Sequence, residues 1–135
     1  MENIIDAIKW GAAAIGGVCG ALIGHVDGVL LALLFFMAAD YITGLMVGAV
    51  QHNLNSEIGF KGLMKKVFIL LLVAVGNVLD VYVIGSGAVV RSAVIAFYLA
   101  NEGLSILENA GKLGVPYPDK LRNVLAQLKE DKHGD

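Results

Sequence analysis

Residues 28–50, GVLLALLFFMAADYITGLMVGAV, hold one formal charge, Asp40, in an otherwise apolar run. A helix needs about 20 such residues to cross the hydrocarbon core of a bilayer, so this stretch predicts a transmembrane span. Working outward, residues 67–90 form a second such run with one charge, Asp80. On the N-terminal side lie a short head (1–9), a Gly/Ala-rich apolar segment (10–24) and a polar break at His25-Val26-Asp27. Beyond residue 50 come a polar stretch (51–66), apolar segments 67–84 and 88–107 separated by Gly85-Ser86-Gly87, and a soluble tail from Lys112.

The whole chain fits this pattern. Its 135 residues are 57% hydrophobic and 16% charged, with a mean hydropathy of +0.73, far from soluble averages. A net charge of -2 offers no basic field of the kind nucleic-acid binding needs. Cys19 is the only cysteine, which excludes an intrachain disulfide and a cysteine-based zinc site. Glu2 and Asp6 outnumber Lys9 ahead of the first apolar segment, the reverse of a signal peptide, so the N-terminus is expected to be retained.

The short breaks predict two helical hairpins. No segment alternates as a membrane β-barrel strand must. The expected fold is therefore an all-α integral membrane protein with three or four transmembrane helices, the first segment being the open case, plus a short C-terminal amphipathic helix. Residues 1–111 would form the membrane domain and 112–135 a cytoplasmic tail. With both tips outward, Lys9, the basic loop residues Lys61, Lys65 and Lys66, and Lys112, Lys120, Arg122, Lys129 and Lys132 lie inside, and only Arg91 does not. This follows the positive-inside rule and puts the C-terminus in the cytoplasm.

Small residues recur every four positions at Ala12, Gly16, Gly20 and Gly24, and again at Gly44 and Gly48. Such rows let helix backbones approach closely where lipid removes the hydrophobic driving force. The first is a glycine-zipper pattern, although Gly and Ala are common in membrane helices for other reasons. In the tail, Leu121, Val124, Leu125 and Leu128 after Pro118 make one narrow apolar stripe.

Charges inside apolar segments are the sharpest clue, because an Asp at a span's centre costs about 2.5–3.5 kcal/mol on insertion scales. Asp40 could face water, stay protonated against a partner helix, or bond Thr43. Asp80 and Arg91 flank the second tip at similar distances and suggest a hairpin ion pair, which Asn77 could extend. Asn101, Ser105, Glu108 and Asn109 share one face of the last apolar helix, with Glu102 beside it. Together with Asp40 they are candidates to line water in an oligomer; a helix tilting out into the headgroups is the plainer alternative. His25, His52 and His133 lie in separate turns or the tail, and no serine has a base nearby in sequence. No enzyme activity, cofactor or metal is expected.

One set of residues is more specific. It comprises Asp40-Tyr41-Ile42-Thr43-Gly44, Leu54-Asn55-Ser56 with Gly59, Lys61-Gly62-Leu63-Met64-Lys65-Lys66, and Leu79-Asp80. It ends with residues 97–109, FYLANEGLSILEN, and Gly114-Val115-Pro116-Tyr117-Pro118. Over residues 38–125 this resembles the phage holin family, which includes clostridial toxin-secretion holins. The resemblance marks Asp40, Gly44, Gly59, Lys66, Asp80, Asn101, Glu102, Ser105, Glu108, Asn109 and Pro116 as motif positions. It implies a multi-pass protein of the bacterial inner membrane that partners itself and the lipid bilayer, oligomerises into lesions, and serves an endolysin without needing to touch it. Alternatives are a small multi-span transporter or channel using Asp40 or Glu102 for proton coupling, a non-conducting antiholin, and a toxin-export relative.

Overall fold

The computed structural model describes residues 1–130, so Lys132 and His133 lie outside the described residues. Five α-helices follow one another: α1 (Glu2–Ile23), α2 (Gly28–Val50), α3 (Ser56–Val78), α4 (Val89–Lys112) and α5 (Asp119–Glu130). A single π-helical segment, Leu79–Ile84, extends α3. Four of the helices, α1 to α4, are long and apolar enough to cross a membrane, the upper of the two expected counts.

Local chemistry sets the boundaries. Asp27 caps α2 by accepting the Leu30 N–H at 3.0 Å, and Asn55 caps α3 by accepting the Glu57 N–H at 2.8 Å, each satisfying a donor the first helical turn leaves free. Helix α4 ends where Gly114 takes φ +74° and Val115 N–H returns to the Ala110 carbonyl. This left-handed glycine turn lets the chain reverse into α5.

Helix α4 is the hub, packing against α2, α3 and α5, whereas α2 and α3 touch each other only sparingly. The core consists of Leu30, Leu33 and Met37 of α2, Ile69 and Val73 of α3, and Ile95 of α4. At one end, here the tip end, lie the turns at 24–27 and 85–88. At the other, the loop end, lie residues 51–55 and 113–118. Gly76 allows α3 and α4 to close at the tip end, because a Cβ there would stand 3.0 Å from the Arg91 Cα.

The expected pair of hairpins forms only once. Helices α3 and α4 make one, but α1 packs on α3 and not on α2. The cause is at the tip, where side chains of α3 and α4 hold the last carbonyls of α1. Every residue from 2 to 22 is exposed, and Gly16 and Gly20 have no neighbour within 4 Å of an added Cβ. The small-residue row beginning at Ala12 is thus open within the chain, and only Gly24 meets Asn77 and Arg91. Gly44 comes within van der Waals reach of Asn109, and Gly48 lies against Leu54.

Helix α5 doubles back onto α4. Its buried residue, Leu125, enters a notch at Gly103, where an added Cβ would stand 2.7 Å from the leucine and 3.0 Å from the Phe36 ring.

These environments predict opposite outcomes for two similar changes. Gly76→Ala pushes against backbone and should cost about 1–3 kcal/mol through overpacking. Gly20→Ala in monomeric protein should be neutral or slightly stabilising, by up to about 1 kcal/mol of helix propensity. Unfolding of both variants in detergent micelles checks the contrast.

Candidate functional site: a buried ion network and an open cleft

The charged residues of the bundle that are not fully exposed fall into two clusters. Toward the loop end, Lys66 of α3 donates from Nζ to Asp40 Oδ2 of α2 at 2.8 Å and to Glu102 Oε2 of α4 at 2.7 Å. The three side chains are 13%, 16% and 9% exposed, little enough that each charge depends on its partners. One ammonium therefore bridges three helices. On the far side of Asp40, Asn109 donates to its Oδ1 at 3.2 Å and to Thr43 Oγ1 at 2.9 Å. Thr43 in turn donates to the Ala39 carbonyl one turn back, at 2.8 Å. Among the described residues no buried side-chain nitrogen or oxygen lacks a hydrogen-bond partner.

Depth follows from helix rise. Asp40 lies twelve residues beyond Gly28, about 18 Å along α2, past the midpoint of a core about 30 Å thick. The network borders a cleft of about 910 Å³ that opens where α2 and α3 diverge, lined by Asp40, Lys66, Asn101, Glu102, Ser105 and Asn109 among others. Those four α4 residues thus turn into the chain. Glu108 does not join them, being exposed and 3.5 Å from Lys112.

Two sequence expectations change here. Lys61, Lys65 and Lys66 sit on α3 and not in a loop, since the Asn55 cap starts the helix at Ser56. Lys61 and Lys65 are exposed, whereas Lys66 faces inward. The partner of Asp40 was thus missed; the available signal was the Asn55-Ser56-Glu57 cap, which places Lys66 nearly three turns inside a helix.

At the tip end, Asp80 and Arg91 do not pair side chain to side chain. The Asp80 carboxylate accepts the Val90 and Arg91 backbone N–H groups at 3.0 and 2.8 Å, capping α4 from a neighbouring element. The π-helical segment that begins at Leu79 ends with Gly85 N–H on the Asp80 carbonyl. Because the backbone of Arg91 occupies Asp80, its guanidinium points elsewhere. It donates to the carbonyls of Ile23 and His25 and to Asp27 Oδ2, each at 2.8 Å. Asn77 adds a bond to the Leu22 carbonyl at 2.8 Å. Arg91 and Asn77 therefore serve as the C-terminal cap of α1.

The Arg91 hydrogen bond, followed by the Leu30 N–H, holds the Asp27 carboxyl below its ordinary value of 3.8. A lowered carboxyl contributes stability above its unfolded pKa and loses it as pH falls through the folded value. The clasp should thus be constant between about pH 5 and 8 and weaken only below the ordinary carboxylate range. Asp27→Asn should cost about 1 kcal/mol of thermal stability near neutrality, since the pair is partly solvated, and the cost should vanish in acid.

Together these features define a small four-span helical membrane protein that carries a buried ion network at depth and one span held only at its end. The chain belongs to the bacteriophage holin family, whose model matches residues 17–130. A 14.9 kDa protein of Clostridium perfringens, encoded in the nagH 3' region and described as uncharacterized, is 42% identical over 132 residues, covering 98% of this chain and all of that one. An uncharacterized Listeria monocytogenes protein is 42% identical over 118 residues, covering 87% and 84%. A "probable holin" of Bacillus phage phi105 is 34% identical over 92 residues, covering 68% and 67%. No solved structure matches the chain.

Removing one member of a buried ion network strands the others, at about 3–5 kcal/mol, whereas replacing the whole set by neutral groups of similar shape is often tolerated. Lys66→Met should therefore destabilise the protein in micelles by that amount. Adding Asp40→Asn and Glu102→Gln to Lys66→Met should restore most of it. Equal losses in the single and triple variants would contradict the network's assignment.

Proposed function

We propose that this protein is a holin of the bacterial inner membrane, with its C-terminus in the cytoplasm. It would accumulate as an intact, non-leaking bundle, self-associate, and open lesions that depolarise the membrane and let an endolysin reach or act on the wall without direct contact. The observation that carries the reading is the family match across residues 17–130, coincident with four helices of membrane length. The similarity to a phage protein named as a probable holin supports it, and family membership points to a non-enzymatic role.

Two physical features suit such a role. The deep charges of Asp40, Lys66 and Glu102 satisfy one another, so a single chain can reside in lipid without an unpaired charge in its core. Helix α1 keeps Ala12, Gly16 and Gly20 exposed, and a small-residue face of that kind associates with another helix by close backbone approach. In this account the α1 row is the first contact between copies, and self-association is what converts a quiet bundle into a lesion.

The test is growth of bacteria expressing the chain with and without a co-expressed endolysin, followed by culture turbidity. Delayed, abrupt clearing only when both are present is the expected result. Gly20→Leu should abolish clearing while the protein still partitions into the membrane, because its branched side chain blocks close approach. Normal clearing by that variant would remove α1 from the assembly step. Continued growth of cells carrying both proteins, with membrane expression confirmed, would favour an antiholin or a transporter.

A further inference from the structure

The outward faces of the bundle do not agree about the medium at one depth. Toward the loop end, α2 and α3 expose Ile42, Met46, Leu63 and Met64, a surface suited to acyl chains. Helix α5 lies beside α4 at the same level, because Leu125 is seated against Gly103, the residue following the Lys66 partner Glu102. Gly103 is fifteen residues past Ala88, about 22 Å along the helix and within a core of about 30 Å. The other wall of the Leu125 notch is Phe36, only about 12 Å beyond Gly28. Yet beside the apolar Leu121 and Val124, α5 exposes a polar face that includes Lys120, Asn123 and Gln127, with Arg122 and Lys129 flanking it.

Hydrocarbon solvates none of these groups, and Arg and Lys at membrane depth face a bundle interior or water. Of the polar side chains in the α4 stripe only Glu108 faces outward, paired with Lys112 toward the loop end. Asn109 is occupied by Asp40 and Thr43, and Glu102 by Lys66, while Asn101 and Ser105 turn into the α2–α3 cleft. Lys61 and Lys65 of α3 have long stems that can carry their charges toward the loop end. Lys120 and Arg122 of α5 can do the same from the loop side of Leu125, Arg122 already donating to the Tyr117 hydroxyl at 2.7 Å, but Asn123 and Gln127 have short stems, and Leu125 pins their turn to Gly103.

We propose that the outer face of α5, rather than the Asn101–Asn109 stripe, is the water-facing wall of the assembled lesion. This rests on the holin reading. Each copy would present α2 and α3 to lipid and α5 to the shared aqueous space. The Leu125–Gly103 contact fixes α5 there, and Gly103 is glycine because a side chain would occupy the notch.

The test uses the full chain reconstituted in phosphatidylethanolamine/phosphatidylglycerol vesicles loaded with a dye. Asn123→Leu with Gln127→Leu keeps Leu125 but gives α5 an apolar exterior, and should reduce release by about tenfold or more with insertion unchanged. Modification after assembly avoids any question of folding. In a Cys19→Ser background, attaching a bulky membrane-impermeant maleimide to Gln127→Cys in leaking vesicles should slow release at least severalfold, while the same treatment of Ile42→Cys should do nothing. Unchanged release in both α5 experiments, from vesicles that leak with the unaltered chain, overturns the proposal and leaves the holin reading intact. Absence of leakage from the unaltered chain overturns the lesion reading and this proposal with it.

Discussion

The bundle depends on one ammonium group. Lys66 is the sole cation bonded to Asp40 and Glu102 among the described residues, and through it α2, α3 and α4 are joined at a depth where an unpaired charge could not persist. Helices α2 and α3 otherwise touch little, so the network accomplishes what apolar packing does not do at that end. Asn109, itself bonded to Thr43, completes the coordination of the Asp40 carboxylate, leaving a fully bonded polar centre at the edge of an open cleft. The surrounding helices can present apolar residues to lipid because their charges are spent on one another.

The second polar cluster works differently. Around Arg91 the acceptors are mostly carbonyls, from Ile23 and His25, with Asp27 as the one charged partner. Asp80 spends its carboxylate on backbone donors at the start of α4. The result is a cap on each of two helices and a hinge for α1. The molecule thereby divides into a three-helix body locked by Lys66, an arm (α1) tethered at its last turn, and a flap (α5) seated through Leu125 on Gly103. An arm with an exposed small-residue face and a flap with a polar exterior suit the self-association proposed above.

Much of this was legible in the sequence, for physical reasons that also mark where legibility stops. Membrane spans announce themselves through run length and lack of charge, so the apolar stretch around Asp40 and the Gly85-Ser86-Gly87 tip could be placed directly. The importance of Asp40, Glu102 and Asn109 was visible because polar groups are costly in lipid. Their partners were not, since pairing between helices leaves no local periodicity. Lys66 looked like one of three loop lysines until the Asn55 cap placed it within α3. Arg91 and Asp80 flank one turn symmetrically and invited pairing, but the free N–H groups at the start of α4 compete for the same carboxylate. That α1 would pack on α3 and not on its neighbour α2 depends on side chains more than fifty residues away in sequence.

In the proposed mechanism an intact, charge-satisfied bundle becomes conducting only when copies assemble. The most direct measurement is a single-cell record of membrane potential in bacteria expressing this chain alone, with its amount in the membrane followed in parallel. The account predicts a steady potential while protein accumulates, then an abrupt collapse at a threshold amount. A potential that stays level at high membrane content, or that declines in proportion to protein from the start, would contradict it.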